Sequence, residues 1–213
     1  MRIMLLIVVS LAACVTNPAK RREILSKLVL LFRKVWDIVT RNAVSWMQQT
    51  KRLLAMYDAR SVANELLRIA KSRGLALTNM QVQKIVYIAH GYSLAILHRS
   101  LVRQTIEAWR YGPVIPDLYH ALRRYGAGIV NEPIPIINMD KLTETDRKLL
   151  ATVLDAYGRF SGPQLSTMTH RDGTPWREVY QPNASFNNDI IQPQLIERHY
   201  TELLNARAGI AAN

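Results

Sequence analysis

The chain predicts a mainly α-helical, compact multi-helix domain with one small β-hairpin, preceded by an apolar and amphipathic helical extension. Three observations carry this expectation. Apolar residues recur at spacings of three and four from residue 59 onward, the signature of buried helix faces. Capping residues stand directly before those runs. One short region, residues 101–110, partly alternates in the manner of a strand. With 213 residues, 49% of them hydrophobic, the chain can bury a substantial core. Nine glycines and nine prolines are too few for a low-complexity chain.

Residues 1–55 read as the extension. Ile3 to Ala13 is an apolar run behind Met1-Arg2, about half of the roughly 20 residues that a bilayer-spanning helix needs. It ends in Leu11-Ala12-Ala13-Cys14, which resembles the lipobox of bacterial lipoproteins, whose cysteine carries the lipid. Cys14 is therefore the candidate lipidation site of a signal at 1–14; the plainer alternative is an apolar N-terminus with a chance cysteine. From about residue 20 to 50, Leu25, Leu28, Phe32, Val35 and Val39 share one helical face, and Lys27, Arg33, Lys34 and Arg41 supply charge. Such a basic amphipathic helix suits a membrane interface or a partner groove, or packs on its own domain. Residues 1–55 hold ten Lys/Arg against Glu23 and Asp37, whereas residues 56–213 hold eighteen against fourteen Asp/Glu. The formal charge of +12 thus belongs mainly to the N-terminal quarter, where it favours anionic membranes or nucleic acid. The rest is only mildly basic, which argues against nucleic-acid binding by residues 56–204. Met56-Tyr57-Asp58-Ala59 reads as a natural domain start, leaving 1–55 as an extended reading frame or a fused element.

The domain proper spans residues 56–204. Val62, Leu66 and Ile69 mark a helix over 59–72, with Asp58 as N-cap and Gly74 suited to the left-handed position past its end. Thr78 and Gln81 form a capping box for a longer helix over 79–97, whose buried face carries Val82, Ile85, Ile88, Ala89, Tyr92 and Ala95. Gly91 costs this helix about 1 kcal/mol relative to alanine, so the sequence predicts a close approach by another element there. Residues 101–110 read as a strand, with 134–137 as its expected partner, limited to an edge by Pro135. A helix follows over 115–125. Further helices are expected over 144–160, behind Thr143 and Asp146, over 164–169, and over 194–204 behind Pro193. Residues 205–213 are expected to be a frayed tail. No internal repeat is evident.

The chemistry is sparse. One cysteine excludes an internal disulfide and a cysteine-based zinc site. No two of His90, His98, His120, His170 and His199 form a metal-binding pattern. There is no nucleophile elbow and no glycine-rich phosphate loop. His170 with Asp172 is the nearest approach to an acid–base pair, and His170 reads more simply as a hydrogen-bonded loop residue. The expectation is therefore no enzyme, with no catalytic residues, no cofactor and no metal. The helix pair 59–72 and 79–97 has a longer turn than a DNA-reading helix-turn-helix. Most singular is Glu107-Ala108-Trp109-Arg110-Tyr111-Gly112-Pro113-Val114-Ile115-Pro116, a stiff aromatic elbow in which two prolines fix φ and remove donors.

Four stretches together resemble the Panacea domain family, also described as SocA-like or GepA-type, phage-associated antitoxin domains. They are Tyr57 to Asn64, Gln83 to Ala95, Glu107 to Pro116, and Leu165 to His170 with Pro175-Trp176. Ile85-Val86 depart from the family's more usual leucines, and residues 1–55 extend beyond its usual start. The resemblance implies a bacterial or phage antitoxin that binds a cognate protein toxin and blocks it, with the toxin encoded by the adjacent gene. One family member also acts as a proteolytic adaptor for an AAA+ protease. The motif residues Lys84, Tyr87, His90, Trp109, Tyr111, Gly112, Pro113, His170, Pro175 and Trp176 become the candidate partner-binding set. A cytoplasmic location is implied by the family; the alternative is a lipoprotein that displays the domain from a membrane through Cys14.

Overall fold

The computed structural model describes residues 27, 30, 33, 34, 36, 56–181 and 189–211. The chain divides into two compact units, Met1–Arg52 and Leu53–Asn213. In the first, Lys27, Leu30, Arg33, Lys34 and Trp36 are helical and exposed. Cys14 and the lipobox-like string lie outside the described residues. No helix among the described residues is long and apolar enough to cross a membrane.

The second unit is mainly helical with a two-stranded antiparallel sheet. Helix α1 (Ala59–Ser72) starts at Asp58, whose carboxylate accepts from the Arg60 N–H, and gives way to Gly74 at φ 69°. Helix α2 (Asn79–Leu97) carries the full Thr78–Gln81 capping box. Every residue from Val82 to Leu94 of α2 is buried, so this helix runs through the middle of the domain and has no solvent face there. Around it pack α1, α4 (Glu144–Tyr157) and α7 (Pro193–Ala211). Gly91 is where α7 comes closest: a Cβ at that position would fall 2.2 Å from the Tyr200 ring. Tyr200 also meets Tyr92 edge to face at 4.9 Å and Tyr87 at 6.1 Å.

The hairpin differs from the expected pairing. Strand β1 (Glu107–Trp109) pairs with β2 (Gly112–Val114), placing Trp109 opposite Gly112 and Ala108 opposite Pro113. The elbow is thus itself the hairpin. Gly112 at φ 100° makes the tight return, while Arg110 and Tyr111 keep negative φ. Ile134 instead has both backbone groups held by one side chain: its N–H donates to Asn64 Oδ1 (2.7 Å) and its carbonyl accepts from Asn64 Nδ2 (2.9 Å). On its outer edge β1 meets residues 189–191, through Ala108 N–H to the Asp189 carbonyl and Ile191 N–H to the Ile106 carbonyl. Helix α3 (Pro116–Leu122) tightens into a 3₁₀ turn (Arg123–Tyr125) before Gly126. Helices α5 (Gly162–Thr169) and α6 (Pro175–Val179) follow α4. Pro163 does more than end the preceding helix: it sits in the first turn of α5, behind a capping box of Ser161 and Gln164. The last helix runs seven residues past Leu204, through a segment in which Ala206, Arg207 and Ala208 favour helix and outweigh Gly209.

One buried polar cluster ties distant parts of the domain together. Asp146 of α4 is 0% exposed. It accepts from the Tyr57 hydroxyl (2.7 Å), pairs with Arg99, and bonds the Thr143 hydroxyl. Burial, and then the Asp146 hydrogen bond, push the Tyr57 phenol up.

Candidate functional site

The elbow is held by its backbone. The Lys84 ammonium donates to the Pro113 carbonyl (3.0 Å), and the Ser166 hydroxyl donates to the Tyr111 carbonyl (3.0 Å). His170 Nε2 faces the Arg110 carbonyl (3.3 Å), and Trp176 Nε1 donates to the Trp109 carbonyl (2.7 Å). Four carbonyls in a five-residue run are therefore met by side chains from α2, α5, its C-cap and α6. Three of the four motif stretches converge on this contact. The rings consolidate it: His170 meets Trp176 at 3.8 Å, and Trp176 stacks on Tyr180 at 4.5 Å.

Gly112 makes the contact sterically feasible. A Cβ there would lie 2.4 Å from Lys84 Nζ and 2.9 Å from Thr169 Oγ1. Pro113 is buried in β2 and Pro175 opens α6. His170 and Asp172 do not form a pair: His170 Nδ1 meets the Ser166 carbonyl, and Asp172 bonds Arg177 at 3.3 Å.

Two candidate residues lie inside the core. Tyr87 is buried, and burial pushes its phenol up. His90 is buried, accepts at Nδ1 from the Val102 N–H (3.3 Å), and burial holds its imidazole down at about 4. Lys84 is buried as well, at 2% exposure, and burial pulls its ammonium down to about 7. No carboxylate among the described residues pairs with it.

Outward from this clamp lies a cleft of about 960 Å³. Its walls are Met80, Trp109, Tyr111, Tyr119 and Pro163, with Lys84 in its lining and Arg110, Arg123 and Arg159 around it. Among the described residues, no aspartate or glutamate lines it. Trp109 meets Tyr119 edge to face at 4.9 Å and donates to Glu107 at 2.7 Å. Tyr111 is 61% exposed, with the Arg110 guanidinium 5.5 Å from its ring centre. The sequence offers Arg110 and Arg123, which stand near the elbow's aromatic residues, as part of an arginine–aromatic surface, whereas it does not single out Arg159, Tyr119 or the α5 cap. Tyr119 has one signal, its place a turn into the helix that follows the elbow.

The fold and site define a helical domain in which a clamped β-turn borders a basic, aromatic cleft. The family model for the antitoxin SocA-like Panacea domain matches residues 82–177, which contain both the clamp and most of the cleft. Antitoxin SocA of Caulobacter vibrioides (strain NA1000 / CB15N) is 35% identical over 128 residues, covering 56% of this chain and 68% of that protein. The chain belongs to the SocA-like, Panacea-domain antitoxin family. No solved structure matches it.

Proposed function

We propose that this protein is an antitoxin that neutralises a protein toxin by binding it directly through the face formed by the elbow and its cleft. The observation that carries the reading is the convergence of the family's motif residues on one clamped turn that leaves Tyr111 exposed at the cleft's edge. A turn rigidified before binding loses little conformational entropy when a partner arrives. Tyr, Trp and Arg are also the residue types that dominate protein-binding hot spots. Action by contact is in keeping with the His170–Asp172 candidate, whose two side chains are taken up by other bonds.

The partner is the product of the adjacent gene, and the test is its co-expression with and without this chain. Rescue of growth by the wild type and loss of rescue by Trp109→Ala with Tyr111→Ala are the expected results. A double variant that folds and still rescues fully would move the binding face elsewhere. Following the toxin's half-life in the same cells separates simple blocking from delivery to an AAA+ protease: only delivery shortens it.

A further inference from the structure

Lys84 is a buried amino group with no carboxylate partner among the described residues. Its Nζ has three protons to donate, and one bond is made, to the Pro113 carbonyl. Three features surround it: an apolar and aromatic wall, three arginines in no ion pair among the described residues, and no carboxylate in the lining. An isolated buried cation is costly unless paired. Here the penalty is visible in the Lys84 ammonium, drawn down to about 7 by burial alone. A carboxylate held in the cleft in front of it would offset part of that penalty. The neighbouring arginines add charge-assisted, bidentate bonds of the kind that read carboxylates.

Resting on the antitoxin reading above, we propose that the cleft takes an acidic, aromatic- or aliphatic-bearing segment of the bound toxin, with its carboxylates seated on Arg110, Arg123 and Arg159 in front of the buried Lys84 ammonium. The size of the cleft fits this occupant. At about 960 Å³ it is at the upper end of the range for small-molecule pockets, and it exceeds what one carboxylate side chain fills, so several residues enter. The walls select for the same occupant, because Met80, Trp109, Tyr119 and Pro163 offer apolar surface between the cations. A positive cleft also steers an acidic partner toward encounter.

The full chain and the neighbouring gene's product, purified together, supply the test. Arg123→Glu with Arg159→Glu reverses two exposed charges whose side chains make no hydrogen bond or ion pair among the described residues, so the fold should stand; circular dichroism and Tm check this. The expected result is at least a tenfold rise in Kd by titration calorimetry, with affinity falling as salt rises. Lys84→Met, checked in the same way for folding, should also weaken binding at least tenfold. Folded variants that bind the toxin as tightly as wild type would overturn the proposal while leaving the antitoxin reading intact. Absence of binding by the wild type would instead remove the antitoxin reading for that pair, and this proposal with it. ATP serves as a small-anion probe. A rise in Tm with ATP that the arginine variants abolish, together with unchanged toxin affinity, would assign the cleft to a small anion and overturn the protein segment.

Discussion

Gly112 and His90 show how much of this domain rests on single residues. Gly112 combines a φ of 100° with a missing Cβ where Lys84 Nζ would otherwise be 2.4 Å away. Gly112→Ala is expected to destabilise the domain by about 1–3 kcal/mol, the usual cost of a non-glycine residue held in a disfavoured backbone region, read from the urea midpoint. His90 makes a pH prediction. Its imidazole is held at about 4 against an ordinary 6.5. Between those values the unfolded chain binds a proton that the folded chain does not. Stability from this residue is therefore complete above pH 6.5 and declines as pH falls toward 4, by about 3 kcal/mol in all. Lys84 acts in the same direction over a higher window: its folded value of about 7 lies below the ordinary 10.5, so its contribution rises with pH between the two. Urea midpoints measured from pH 4 to 7 check the first slope, and His90→Asn should flatten it.

At the level of elements, the helices were legible and the hairpin was not. Capping residues and periodicity placed α1 and α2 to the residue because Asp58, Thr78 and Gln81 bond their own backbone, a local interaction that spacing reveals. The pairing of β1 with β2 was hidden, because two prolines and a glycine in six residues read as a break in structure. What makes them a hairpin is non-local: bonds from Lys84, Ser166 and Trp176 arrive from elements up to 67 residues away. The same distance concealed the burial of Lys84, whose type predicts a surface residue. The clamp predicts that Trp176→Phe, which loses the indole N–H and half of a buried ring system, costs about 1–3 kcal/mol; the Trp109 carbonyl keeps its hairpin pairing with Gly112. Ser161→Ala, which removes the α5 cap, should cost about 1 kcal/mol. Thermal denaturation of both variants tests this ordering.

Across the whole domain, Asp146 joins the start of the second unit to α4. It binds Tyr57, 89 residues away in sequence, and Arg99, 47 residues away. Removing one partner of a buried ion pair commonly costs 3–5 kcal/mol, so Asp146→Ala should lower the Tm more than any elbow variant. Tyr57→Phe, which keeps the ring and deletes two hydrogen bonds, one to Asp146 and one from the Thr143 N–H, should cost about 1–3 kcal/mol; a larger loss from Tyr57→Phe than from Asp146→Ala would contradict this ranking. The clamp on the elbow has an evolutionary consequence. Its four bonds end on main-chain carbonyls, which every amino acid supplies. The identities of residues 110 and 111 are thus free to change without loosening the turn, so the partner face proposed for them can exchange one target for another by point mutation while the scaffold stays intact.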